Sequence, residues 1–209
     1  MPAPDPGATL HAVVLAAGGS RRLGRPKQLV ELAGEPLVRH CVRRALAAAP
    51  QGVIVVAGAQ AEAVLAALRN LPVRLVINAR WEEGMSTSIQ AALDALPADV
   101  LGVLILLADH PFVPLEHLQA LVSTWRAQPR AIVATAYDAG RGVPAIFPCA
   151  RFAELRALRG DSGARGVLQA RAAEVIGIAC PQAAIDIDTE ADLQRLGAAA
   201  RAADDRGVD

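Results

Sequence analysis

Residues 15–27 read LAAGGSRRLGRPK and follow the short apolar run HAVV. Gly18, Gly19 and Gly24 permit positive φ and let backbone N–H groups approach an anion closely. Arg21, Arg22 and Lys27 bring positive charge to the same turn. The stretch reads either as a phosphate loop or as a basic surface turn behind a buried strand. Its position favours the first, because ligands of open α/β sheets collect outside the carboxyl ends of strands. Two common glycine patterns fail here. GGSRRLG is not G-x-G-x-x-G, nor is it G-x-x-x-x-G-K-[ST], since Lys27 lies three positions after Gly24 and precedes Gln28.

A second chemical position is Asp109, in LLADHP (106–111), where a carboxylate ends the most apolar run of the chain. A carboxylate at a sheet's carboxyl edge suits Mg²⁺, which prefers oxygen ligands and keeps waters and substrate phosphates. The plain alternative is a loop-start Asp that caps the next helix. His110 reads as a polar loop residue before Pro111 rather than as a base. The third position is DIDTEAD (186–192 with Ile185 before it), in which Asp186 and Asp188 alternate with Ile185 and Ile187. On a strand both carboxylates face one side. They could add a metal ligand near Asp109, or Asp188 or Thr189 could simply cap the last helix.

These positions need a scaffold, and the apolar pattern supplies one. Strands are expected at 11–17, 52–58, 73–78, 100–109 and 131–137, the fourth at the sheet centre because it is the most hydrophobic. Helices are expected between them at 36–49, 61–70, 85–96 and 114–127. The first should bury Leu37, Cys41, Ala45 and Ala48, with Pro36 at its start; the third starts among hydroxyl side chains, as a capped N-terminus would. Strand–helix alternation implies a mostly parallel sheet with helices on both faces. Residues 140–180 break this rhythm and read as an excursion on the substrate side, and a strand edge and capped helix close the chain.

Composition bounds the rest. The chain has 209 residues, 53% of them apolar and only 3% aromatic, with mean hydropathy +0.32. One domain over 1–209 is the expectation, with loose termini at 1–9 and 200–209. Lys plus Arg and Asp plus Glu both number 21, so the formal net charge is zero and no global field favours nucleic acid or anionic lipid. Cys41, Cys149 and Cys180 form no CxxC and read as structural thiols of a reducing compartment. No apolar run reaches the roughly 18 residues of a membrane span, and the N-terminus lacks signal-peptide character. A cytoplasmic location is expected.

Taken together, LAAGGSRRLGRPK, NARWEEGMSTSIQAAL (78–93), LADHPFV, GVPAIF, GDSGARGVL and DIDTEADL resemble, in order, the landmarks of the MobA-like nucleotidyltransferases, whose signature is LAAGxSxRxGxxK. Within that group the chain is most similar to the molybdenum cofactor cytidylyltransferases, over about residues 11–196. The resemblance implies a three-layer αβα, mostly parallel, Rossmann-like nucleotidyltransferase fold. It implies Mg²⁺-dependent transfer of CMP from CTP to the phosphate of a molybdopterin-type cofactor, with release of pyrophosphate. It assigns the backbone of Leu15, Ala16 and Ala17 to the base, Gly18, Gly19 and Ser20 to the triphosphate, and Arg22 and Lys27 to transition-state charge. Asn78, Ser86 and Ser88 would hold base and ribose. Asp109 and Asp188 would hold the metal, and Pro144, Asp161 and Arg165 would face the acceptor in the 140–180 segment. An apo-molybdoenzyme or its chaperone is the implied protein partner. The chain departs from the family pattern in two places: Ala108, Asp109, His110, Pro111 stand where Cys-Asp-Gln-Pro is usual, and Val143 precedes the proline of the GxP segment.

Phosphoryl-type transfer asks a protein for positioning and charge rather than covalent chemistry, so the lack of a Ser-His-Asp or Cys-His set is expected. The same fold could instead act as a guanylyltransferase or on another phosphorylated acceptor, or serve as a cofactor carrier without turnover. A nicotinamide oxidoreductase is disfavoured by the missing G-x-G-x-x-G and by the lack of an acidic residue about 20 positions on.

Overall fold

The computed structural model describes residues 9–20, 24–49, 51–137 and 140–184. Its elements in chain order are β1 (Leu10–Ala16), a two-residue hairpin of β2 (Glu31–Leu32) and β3 (Glu35–Pro36), α1 (Leu37–Ala48), β4 (Val53–Ala57), α2 (Ala61–Ala67), β5 (Arg74–Ile77), α3 (Met85–Asp94), β6 (Gly102–Leu107), α4 (Leu115–Ala127), β7 (Ile132–Tyr137), β8 (Gly140–Pro148), α5 (Phe152–Arg156), α6 (Arg165–Ala170) and β9 (Val175–Ala179). Seven strands form one sheet in the order β5-β4-β1-β6-β8-β7-β9. All neighbours are parallel except β8, which runs antiparallel to both β6 and β7. The sheet is the mostly parallel, helix-covered one that the alternation predicts, and β6 is its central strand.

Continuous apolar strands arise because both faces are covered. Along β1, Leu10, Ala12, Val14 and Ala16 face one layer, where α1, α2 and α4 pack. Val13 and Leu15 face the other, against α3, α5 and α6. The predicted α1 face is the observed one: Leu37, Cys41, Ala45 and Ala48 are all buried, joined by Val38 and Val42. Gly102 at the start of β6 is required by packing, since a Cβ there would lie 2.4 Å from the buried Trp125 ring.

Three local features differ from, or add to, the sequence reading. Residues 140–148 are not an excursion but a sheet strand, pairing Ala145 with Ile105 on one side and Ala134 on the other. Its Gly and Pro content hides it, because both residues usually punctuate strands. Here Gly142 is needed because a Cβ would fall 1.7 Å from the Tyr137 hydroxyl. Second, α3 is not capped by a hydroxyl: its N-cap is Gly84 at φ 110°, and Ser86, Thr87 and Ser88 are buried inside the first turn. Third, the β2–β3 hairpin was not anticipated; Ala33 (φ 51°) and Gly34 (φ 77°) take the two left-handed positions of its tight turn.

Candidate functional site

The loop leaving β1 is built around a residue that the spacing rules pass over. Gln28 is only 3% exposed. Its Nε2 donates to the carbonyls of Gly18 (3.1 Å) and Ala16 (3.3 Å), and its Oε1 accepts from the Ser20 hydroxyl (3.2 Å). Ser20 Oγ in turn accepts the Lys27 backbone N–H (2.9 Å). This circuit holds Ser20 at φ 50°, a left-handed conformation that costs a non-glycine residue about 1 kcal/mol or more. Among the three glycines only Gly24 uses positive φ (69°). Gly18 and Gly19 serve space instead: a Cβ on Gly18 would meet no protein atom within 4 Å, whereas one on Gly19 would lie 3.0 Å from the Trp81 ring.

The loop opens onto a cleft of about 350 Å³ at the carboxyl ends of β1 and β6, within the usual size of small-molecule sites. Residues 15–19, Lys27 and Gln28 form one wall; Leu107, Ala108 and Asp109 form another; Trp81, Glu82, Gly84, Met85, Ser88 and Asp161 complete it. Across it Lys27 Nζ and Asp109 Oδ2 form an ion pair, and both side chains are largely shielded from solvent. Asp109 does not cap α4, whose N-cap is Pro114. Beneath the pair, burial and then the charge of Asp109 push the Cys41 thiol up to about 12, and its Sγ donates to the Leu107 carbonyl at 3.4 Å. A thiol so placed stays protonated and is no nucleophile.

The far wall joins two stretches that the sequence keeps apart by some seventy positions. A Cβ on Gly84 would fall 2.3 Å from the Gly160 carbonyl carbon, and the Ser86 N–H donates to the Gly160 carbonyl at 3.1 Å. Likewise a Cβ on Gly163 would lie 2.7 Å from Met85 Sδ. The EGMS turn and the GDSGAR loop thus interlock through glycines and bring Asp161 to the cleft.

Asn78, assigned to base and ribose, has another task. Its Nδ2 donates to Thr87 Oγ1 (2.8 Å) and Ser88 Oγ (3.0 Å), and its Oδ1 accepts the Arg80 N–H (3.0 Å). Buried and fully engaged, it shapes the turn and orients Ser88, which does line the cleft. Ser86 lies on a separate groove behind the Gly84–Gly160 junction. Pro144 is also away from the cleft, because it sits within β8, where its carbonyl accepts the Thr135 hydroxyl at 2.7 Å. Arg165 is exposed at the start of α6 and forms no part of the cleft wall. Leu15, Ala16, Ala17, Gly18, Gly19, Lys27, Asp109 and Asp161 do line the cleft, and Ser20 braces its loop. Arg22, Asp186, Asp188 and Thr189 lie outside the described residues. Gln28 and Trp81 were missed, although Trp81 stood inside NARWEEGMSTSIQAAL and Gln28 directly follows LAAGGSRRLGRPK; their burial and packing depend on distant segments.

Among the described residues, no group of three or more His, Cys, Asp or Glu gathers as metal ligands. The cleft offers separate carboxylates, Asp109 foremost. That sparse oxygen set fits Mg²⁺, commonly held by one or two carboxylates with waters and phosphates, and does not fit a tetrahedral zinc site.

This sheet order, with a loop-lined cleft at its carboxyl edge, is that of an open α/β fold that binds ligands where its strands end. Residues 12–175 match the MobA-like NTP transferase domain, and the chain belongs to that family. It is 33% identical over 195 residues to the nicotine blue oxidoreductase of Paenarthrobacter nicotinovorans, covering 88% of this chain and 94% of that one. It also matches curated bifunctional GlmU proteins, of which it spans 25–30% of the length in the first two. Among solved structures, Rv0371c of Mycobacterium tuberculosis H37Rv superposes with TM-score 0.79 at 30% identity, over 90% of this chain and 96% of that one. A second structure of Rv0371c, at 28% identity, TM-score 0.76 and coverage of 90% and 97%, is a complex with manganese. Among the described residues no helix is long and apolar enough to cross a membrane.

Proposed function

We propose that this chain transfers CMP from CTP to the phosphate of a molybdopterin-type cofactor and releases pyrophosphate, in the cytoplasm. The carrying observation is the convergence of the bare Gly18–Gly19 loop, Lys27 and Asp109 on one cleft. A phosphate oxygen of the acceptor forms the new bond to the α-phosphorus. The bond from that phosphorus to the bridging oxygen breaks, and its electron pair leaves with pyrophosphate. The acceptor oxygen is already an anionic nucleophile, so no general base is needed. The protein's part is alignment and charge.

The open space at Gly18 would take the triphosphate, with backbone amides of Gly18, Gly19 and Ser20 facing it and the backbone of Leu15, Ala16 and Ala17 lining the base. Lys27, released from Asp109, would meet the negative charge of the α-phosphate and departing pyrophosphate, and Arg22 would assist. A cation so placed can contribute several kcal/mol to the transition state. Asp109 and Asp188 would hold Mg²⁺, which supplies charge neutralisation across the phosphates when bound; the manganese complex of Rv0371c supports use of a divalent ion. Ser88 would contact the nucleoside, and Asp161 with Arg165 the acceptor. An apo-molybdoenzyme or its chaperone would receive the product.

A thermal-shift panel of the four nucleoside triphosphates with Mg²⁺ tests the base, because a ligand of the folded state raises stability by mass action. CTP should give the largest shift. A larger shift with GTP would make the enzyme a guanylyltransferase of the same fold. The oxidoreductase name of the Paenarthrobacter relative favours a second, redox reading. Against it, β4 runs into Gly58 and Ala59 with no carboxylate to hold a nicotinamide ribose. Consumption of NADH or NADPH without pyrophosphate release would establish it.

A further inference from the structure

We propose that Trp81 is the stacking surface for the nucleobase, seated by the absent side chains of Gly19 and Gly58; this rests on the nucleotide reading above. The chain has only two tryptophans. Trp125 is fully buried between sheet and helix. Trp81, in the turn after β5, is only partly buried and lines the cleft. A Cβ on Gly58 would lie 2.7 Å from Trp81 Cβ and 2.8 Å from its Cγ, and one on Gly19 would lie 3.0 Å from Cζ3. The indole therefore rests along main chain, from the loop after β4 to the loop after β1. Part of the ring packs on the apolar core beneath the sheet face, and part lines the cleft, whose wall also includes Met85. A side chain at Gly58 would collide with both the indole and the Ala17 carbonyl (2.6 Å), and one at Gly19 would press on the ring edge.

Strand order fixes which end of a nucleotide this surface meets. Trp81 belongs to the β4–β5 side, Asp109 follows β6, and β1 with its loop lies between them. A triphosphate on the β1 loop, directed at Lys27 and Asp109, leaves the ring on the side of Trp81. Aromatic stacking is base-tolerant, because every base has a π-face. Trp81 therefore sets affinity for nucleotides in general, and base choice falls to hydrogen-bonding groups of the cleft wall such as Ser88.

The test is tryptophan emission, excited at the red edge of its absorption, with calorimetry in parallel. CTP should quench the wild-type protein and inorganic triphosphate should not. Trp81→Ala should weaken CTP binding by about tenfold or more while leaving triphosphate binding unchanged. Trp81→Phe keeps an aromatic face, so it should retain most of the affinity and lose the quench, with Trp125 as its only emitter. CTP binding that neither quenches emission nor weakens in Trp81→Ala would overturn the stacking role and leave the nucleotide site standing. No calorimetric uptake of CTP by the wild type would overturn the nucleotide reading beneath it.

Discussion

Lys27 and Asp109 form an ion pair in the wall of the cleft, and both side chains are largely shielded from solvent. The pair is more shielded than an exposed surface bridge, so removing either member costs more than it would at the surface. If these side chains act on developing charge, Lys27→Ala and Asp109→Ala should each lower turnover at least ~10²-fold in a pyrophosphate-release assay. Near-normal rates in both would move the chemistry elsewhere. Gln28 makes a different prediction. Gln28→Ala deletes three hydrogen bonds that hold the loop, each worth about 0.5–1.5 kcal/mol. It should destabilise the fold by about 2 kcal/mol in denaturant unfolding and raise KM for the nucleotide. Lys27 and Asp109 were legible because charge at a strand end is a local signal. Gln28 was not: beside Lys27 it only broke a nucleotide-loop pattern, and its burial follows from how residues 16–20 fold back over it.

At the level of elements, the site is assembled by junctions rather than by single loops. The turn before α3 and the loop before α6 meet at Gly84 and Gly160, where Gly84 lies too close to the Gly160 backbone to carry a side chain. Gly84→Ala combines that clash with strain at φ 110°. It should cost at least ~2 kcal/mol of stability and loosen Asp161 from the cleft, seen as a lower melting temperature and weaker acceptor binding. A wild-type melting curve would show that the junction yields more easily than its geometry implies. The apolar runs announced β1, β4 and β6 because strands covered on both faces read as continuous hydrophobic stretches. β8 stayed hidden because its glycines and prolines mimic a loop, and only its partners β6 and β7 reveal it.

The whole molecule couples stability to pH through a buried histidine, His117, and a half-buried one, His11. Burial holds His117 and His11 below the ordinary value of 6.5. His117 Nε2 donates to Thr135 Oγ1 at 2.9 Å, and Thr135 donates onward to the Pro144 carbonyl, which ties α4 to β7 and β8. A lowered folded-state value means the folded chain binds fewer protons than the unfolded one. Stability from this source is complete above about pH 6.5 and falls as pH drops below it. Melting temperatures should decline from pH 7 to pH 5, and His117→Gln should flatten that decline; an unchanged slope would assign it to other groups.

The central proposal is that this protein joins a nucleotide to a phosphorylated cofactor. Pyrophosphate release with CTP, Mg²⁺ and a molybdopterin-type acceptor tests it most directly. The account predicts release only when all three are present. Release without the acceptor, or none with it, would contradict the account.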